Sequence, residues 1–490
     1  MMRPTTAISF FFVLSLVVTF FLFVSSTQAI DYSQVLKNYV QTPESVFSYS
    51  LLATVPTPVA TVYVLNITTL SWLTPSEVGI RNTYFQYATV AVPATLDRTK
   101  NQATIYITGG NNLQAPPGPD PVLTPFAFAS ASVGITLYDI PNQPMTYASD
   151  PTQAVRSEDA IIAFGWARFL NDTTQTSYVT QLPMVKASKL AMDAVVDFVK
   201  KTVNYEIQYF TVIGASKRGW TTLLLAGVDS RVKSIIPAVI PVFEIKKVFE
   251  SVYNGLCAWP MVMKDYVLAN VVDFLYTPAF NKLAKIIDPA NYPRLGSIQK
   301  YQIFGLGDEF FAPNLNDVGY DSIEGDDYIR YIPNTGHSLS NSDVFQVILS
   351  YQVARLKNLE LPKYKFSHEF VEEGLIIKLR VTNGKLPTRV NVWSATNPNA
   401  RDFRTYVIGA NVWNSTVIQE TKPFHWQVFI RNPPKGYTAA TVELVYENYV
   451  TSSVPGVAMA PLKFTTNAYI TPDTTPCEID PENPPTHNMS

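Results

Sequence analysis

The stretch YFTVIGASKRGWTTLLLAG (residues 209–227) changes its periodicity in the middle. Tyr209 to Ile213 are β-branched or aromatic residues of the kind that form a buried strand, and Trp220 to Gly227 continue as a helix. Between them lies VIGASKRGW (212–220), which places Ser216 after a glycine and then sets two cations, Lys217 and Arg218, where a helix begins. Positive charge opposes the dipole at a helix start, so a local anionic partner for this pair is expected.

Working outward, short apolar runs alternate with helix-period runs as far as about residue 358, the pattern of a mainly parallel sheet covered by helices. Strands are expected at 84–92, 103–108, 133–138, 209–213, 233–240 and 301–306. Met184, Ala187, Ala191, Ala194, Val195 and Phe198 recur at three and four residues and mark one buried helix face ahead of the Ser216 strand. A long aromatic helical insertion, about 243–300, is expected either to roof a pocket or to add to the packed core. From about 360 the period changes to strict alternation, in YKFSHEFV, GLIIKLRV, TRVNVWS, FHWQVFI and TVELVY, with turn-rich segments such as TNGK between them. This predicts a β-sandwich-like domain over 360–468 beside an α/β domain over 30–358. The proline-rich tail, 469–490, reads as flexible.

A serine hydroxyl is a weak nucleophile that needs an adjacent base, itself oriented by a third group. Strand-end positions supply both, in the order serine, acid, histidine that belongs to the α/β-hydrolase fold. Asp308 follows a strand in IFGLGDEFF, with Glu309 as a competing acid, and His337 sits in YIPNTGHSL. Of the four histidines, His368 and His425 fall in the alternating region and His487 in the tail, which leaves His337 as the base. The usual elbow has a second glycine two residues after the serine. Here that place is Arg218, and Gly219 comes one later. Gly109, Gly110 and Asn111, at the end of an early strand in YITGGNN, and the amide of Lys217 are the candidate oxyanion donors. Arg218, Trp220 and Trp259 are candidate substrate contacts.

With 490 residues, 47% of them hydrophobic, and a net charge of −2, the chain can bury a large core and has no basic block to track nucleic acid. Arg3, the apolar run from Ile8 to Val24 and the small residues Thr27 and Ala29 form a secretory signal cleaved after Ala29, so no stable membrane insertion is expected afterwards. Export fits the N-glycosylation triplets at Asn66, Asn171 and Asn414. The two cysteines, Cys257 and Cys477, have neither the number nor the spacing of a metal site and are expected to pair. No metal or cofactor is called for.

GASKRGW, DEFF and NTGH together resemble the PhoPQ-activated pathogenicity-related proteins over most of the mature chain. The resemblance implies an α/β-hydrolase fold with Ser216, Asp308 and His337 at the triad positions. It also implies an extracellular role in restraining proliferation and repelling cells, with a cell-surface receptor as partner. The serine turn with its basic residues is similar to that of glucuronoyl esterases as well. That likeness keeps carbohydrate ester hydrolysis open, within a second expectation of a secreted serine hydrolase acting as a carboxylesterase, carbohydrate esterase or peptidase.

Overall fold

The computed structural model describes residues 29–323, 325, 327–452, 454–485 and 488–490. The predicted signal segment therefore lies outside the described residues except for Ala29, as does His487. Among the described residues no helix is long and apolar enough to cross a membrane.

An α/β-hydrolase sheet organises the unit Tyr32–Ser490. Its strands are β1 (Ser48–Pro56), β2 (Ala60–Ser71), β3 (Thr83–Pro93), β4 (Gln102–Ile107), β5 (Val133–Leu137), β6 (Tyr209–Ala215), β7 (Val232–Ala238), β8 (Gln299–Gly305) and β9 (Asp327–Ile332). They run in the order β1-β2-β3-β5-β4-β6-β7-β8-β9. The pairs from β5 through β9 are parallel, whereas β1, β2, β3 and β5 pair antiparallel. Parallel strands covered on both faces need continuous apolar runs, and β5 is buried at every position. The six strands expected in this region all appear. The predicted helix stripe lies within Gln181–Val203, where all six named residues are buried.

The alternating region supplies β10 (Tyr364–Val371), β11 (Gly374–Val381), β12 (Arg389–Asn397), β13 (Asn414–Val417), β14 (His425–Arg431), β15 (Tyr437–Tyr446), β16 (Leu462–Thr465) and β17 (Tyr469–Thr471). β10, β11 and β14 form a separate three-stranded sheet. Leu375, Ile377, Leu379 and Trp426 from it share one buried cluster with Val390, Val442, Leu444 and Phe464, so two sheets pack face to face here. β12, β13, β15 and β16, however, continue the large sheet, because Thr465 of β16 pairs with Ile329 of β9. The strands after 360 thus pair antiparallel throughout, some in the separate sheet and some as an extension of the large one.

The tail departs from expectation. Tyr469–Thr471 pairs with β15, and the segment beyond it docks on the helical insertion. A disulfide joins Cys257 to Cys477 with Cα atoms 5.4 Å apart. The Trp259 amide donates to the Asn488 carbonyl at 2.8 Å, and the Ser490 amide donates back to the Trp259 carbonyl at 2.8 Å. Proline-rich composition weakens regular structure, but a covalent link and a short β-bridge supply the missing order.

Candidate active site

β6 delivers Ser216 to the start of the helix Lys217–Val228 with φ 55° and ψ −130°. A non-glycine residue held there costs about 1–3 kcal/mol, and the surroundings must over-determine it. They do so through the Ser216 amide, which donates to the Ala238 carbonyl at 2.8 Å, and through the Trp220 amide, which donates to the Ser216 carbonyl at 3.0 Å. Gly214 is required because a Cβ would lie 2.3 Å from the Arg218 carbonyl oxygen. Gly219 is required for the same kind of reason, since its Cβ would meet Ile240 at 2.7 Å and the Gly214 oxygen at 2.9 Å. The close approach sought at position 218 is therefore made one residue later.

The loops after β8 and β9 bring the acid and the histidine together. Asp308 is buried, and its Oδ1 accepts from the amides of Phe310 at 2.8 Å and Phe311 at 3.1 Å. Its two oxygens lie 3.0 and 2.9 Å from His337 Nδ1. Glu309 takes a different task, accepting the His337 backbone N–H at 2.7 Å. The imidazole ring packs against Phe310, with centroids 4.5 Å apart. A neutral imidazole that donates from Nδ1 carries its acceptor lone pair on Nε2, the arrangement a general base needs.

Ser216 lines a narrow cavity with Phe310 and Phe311, the two residues that follow the acid loop. The insertion roofs it through Ile245, Val248, Phe249, Val252, Met263 and Tyr266. Trp166 and Trp220 form the floor and meet edge to face at 5.6 Å. One corner is polar. Lys217 Nζ lies 2.9 Å from Glu158 and 3.0 Å from Asp159, and the Tyr266 hydroxyl donates to Asp159 at 2.9 Å.

Sequence reasoning did not name Glu158, although it expected an anionic partner for the Lys217–Arg218 pair. Arg218 makes a two-pronged bond to the Glu158 carboxylate, at 2.6 and 2.7 Å, and its Nε donates to the Ile140 carbonyl at 2.5 Å. Glu158 is itself held at φ 55° and ψ −126° at the start of the helix Asp159–Asn171. Its partial burial pushes the carboxyl up, but Arg218, Lys217 and Gln143 overcome that and hold it down at about 2. Arg218 is thereby held in an ion pair, with its side chain only 12% exposed, and does not line the Ser216 cavity.

The loop after β4 leans on the same network. Gln143 Nε2 donates both to Glu158 at 2.6 Å and to the Gly110 carbonyl at 2.9 Å. A Cβ on Gly109 would lie 2.6 Å from the Arg218 guanidinium, and one on Gly110 would lie 2.1 Å from Asp139 Oδ1, so both glycines answer to close approach. Burial raises the Asp139 carboxyl to about 6, while the Asn111 amide donates to it and lowers it. Asn111 Oδ1 accepts from the Leu113 amide at 2.8 Å, so its side chain shapes the loop. The Lys217 amide, first in its helix, has no partner within the helix.

The remaining predicted positions separate clearly. Trp220 lines the cavity, and its indole N–H donates to the Ile287 carbonyl at 2.6 Å. Trp259 is 1% exposed, packs on Phe249 and Tyr253 and donates to the Pro485 carbonyl at 2.9 Å. It anchors the tail and lies off the lining of the Ser216 cavity, a correction that follows from its burial between insertion and tail. Asn171 and Asn414 are exposed, whereas Asn66 sits inside β2 with its side-chain oxygen buried.

A family model described as PhoPQ-activated pathogenicity-related protein matches residues 36–404. The chain is 29% identical over 463 residues to a protein of Dictyostelium discoideum named autocrine proliferation repressor protein A, covering 91% of this chain and 92% of that one. Among solved structures, acetyl xylan esterase 1 from Thermoanaerobacterium sp. JW/SL YS485 is similar at 16% identity and TM-score 0.44, over 66% of this chain and 93% of the other. A glucuronoyl esterase from Solibacter usitatus is similar at 12% identity and TM-score 0.39, over 66% and 91%.

Proposed function

We propose that this chain, which belongs to the PhoPQ-activated pathogenicity-related family, is a secreted signalling protein whose hydrolase scaffold carries an acyl-transfer centre at Ser216. The observations that support the chemistry are a strained strand-end serine and, at the ends of later strands of the same sheet, a histidine already locked to a buried aspartate. In the proposed reaction Ser216 Oγ attacks the substrate carbonyl while His337 Nε2 takes its proton, and Asp308 holds the imidazole and stabilises its cation. The negative oxygen that forms is assigned to the Lys217 amide and the Gly110 amide as donors. His337 then returns the proton to the leaving alcohol or amine, and a water activated by the same nitrogen releases the acid. The largely apolar cavity suits a small apolar acyl group, of an ester or a peptide.

The signalling half of the reading rests on the Dictyostelium relative, whose name describes an autocrine repressor of proliferation. By that likeness the chain restrains the growth of the cells that release it and acts on a surface receptor. One set of variants separates the two halves. Ser216→Ala and His337→Ala should each lower hydrolysis of short-chain p-nitrophenyl esters by roughly 10³-fold or more while leaving the fold intact. Equal loss of growth restraint in both variants would make turnover part of the signal, and its retention would assign the signal to the surface. Hydrolysis by wild type that survives both substitutions would refute the chemistry.

A further inference from the structure

A second recess is lined by Gly336 and Ser338, the chain neighbours of His337. It is a groove of about 950 Å³ that starts at Gly336 and Ser338 and runs between the loop after β9 and the strands β12, β13, β15 and β16. Ser216 lines the other cavity and not this one.

The charges in this groove balance. Glu309, Asp343 and Glu443 face Arg330, Arg389 and Lys463. Most are used up in a chain of contacts along one wall, from Lys463 to Asp343, from Asp343 to Arg330 at 3.7 Å, and from Arg330 to Glu443. The second Glu443 oxygen accepts from Asn391 at 2.8 Å and from the Trp393 indole at 3.0 Å. Glu309 holds the His337 backbone. A strongly anionic or cationic ligand thus meets no surplus of opposite charge. Exposed at the lip are one cation, Arg389, and a set of neutral groups, the hydroxyls of Ser338, Ser340 and Ser415 and the amides of Asn341 and Asn411. Hydroxyl and amide groups both donate and accept, and a partly buried tryptophan, Trp393, adds apolar surface beside them.

We propose that this groove binds a neutral saccharide, whose ring hydroxyls match the lip and whose apolar ring face matches Trp393. The proposal is independent of the chemistry assigned to Ser216. Titration calorimetry on the full secreted chain carrying Ser216→Ala, with cellohexaose, xylohexaose, maltohexaose and chitohexaose as probes and heparin as the charged control, tests it. At least one neutral oligosaccharide should bind, with an affinity unchanged between low and high salt, because no net charge is neutralised. Ser415→Trp, at an exposed edge position, should fill the groove and weaken binding about tenfold or more, a loss of at least 1.4 kcal/mol. Trp393→Ala should do the same, with a thermal melt to confirm that the protein is folded. No binding by any neutral probe, binding that Ser415→Trp leaves unchanged, or salt-sensitive binding of heparin alone would overturn the proposal.

Discussion

Replacing Ser216 by glycine should leave a protein more stable than replacing it by alanine, although both lose the hydroxyl. Position 216 is held at φ 55° and ψ −130°, where a Cβ is crowded and glycine is not. The strain released is about 2 kcal/mol, the middle of the range for such residues. Against it stand about 0.75 kcal/mol for the extra freedom of glycine in the unfolded chain and about 0.4 kcal/mol for half a buried methyl group. The net gain of glycine over alanine is therefore about 1 kcal/mol. For a chain of this length the unfolding entropy is about 1 kcal/mol/K, so the melting temperature should differ by about 1 °C. Differential scanning calorimetry of the two variants, prepared in parallel, reads that difference, and the midpoints of urea unfolding provide a second scale. If Ser216→Gly is no more stable than Ser216→Ala, the backbone stores no strain at the serine and the elbow argument fails.

Glu158 has its carboxyl held at about 2, below the ordinary 4.5, so the stability it contributes is complete above about pH 4.5 and is lost as pH falls through about 2. Because its side chain is 41% exposed, the effect is about 1–2 kcal/mol, and Glu158→Gln should flatten urea midpoints measured between pH 5 and pH 2. The Cys257–Cys477 bridge spans 220 residues, so the paired substitution Cys257→Ser with Cys477→Ser should cost up to about 5 kcal/mol in equilibrium unfolding. A native secreted protein in which both thiols react freely would contradict it. Peptide mass spectrometry of protein expressed through the secretory pathway should find glycan at Asn171 and Asn414 and none at Asn66, whose side-chain oxygen is buried in β2. Occupied Asn66 would mean that β2 is not packed as described.

Much of the architecture could be read from periodicity, because parallel strands buried on both faces must be apolar throughout and the helices beside them must carry a stripe. The N-terminal hairpin β1–β2 escaped that reading. β1 is exposed along most of its length and has no buried face to betray it. The meeting of Asp308 with His337 was legible from order and strand-end placement, since few histidines competed. The partner of Arg218 was not, because Glu158 lies 60 residues away and 39 acidic residues were available. Trp259 misled for a related reason, as an aromatic residue in a roof segment looks the same in sequence whether it faces a cavity or a docked tail. The tail was judged flexible by its composition even though the same reading paired Cys477 with Cys257, and that link, with the bridge between Trp259 and Met489, holds it on the insertion.

Reaction of the purified protein with a fluorophosphonate, followed by peptide mapping, tests the central claim most directly. An activated serine forms a covalent bond to phosphorus, and the label should map to Ser216 alone, vanish in Ser216→Ala and fall sharply in His337→Ala. A protein that stays unlabelled under conditions that label a control hydrolase, or one labelled equally after His337→Ala, would contradict a working centre built from Ser216, His337 and Asp308.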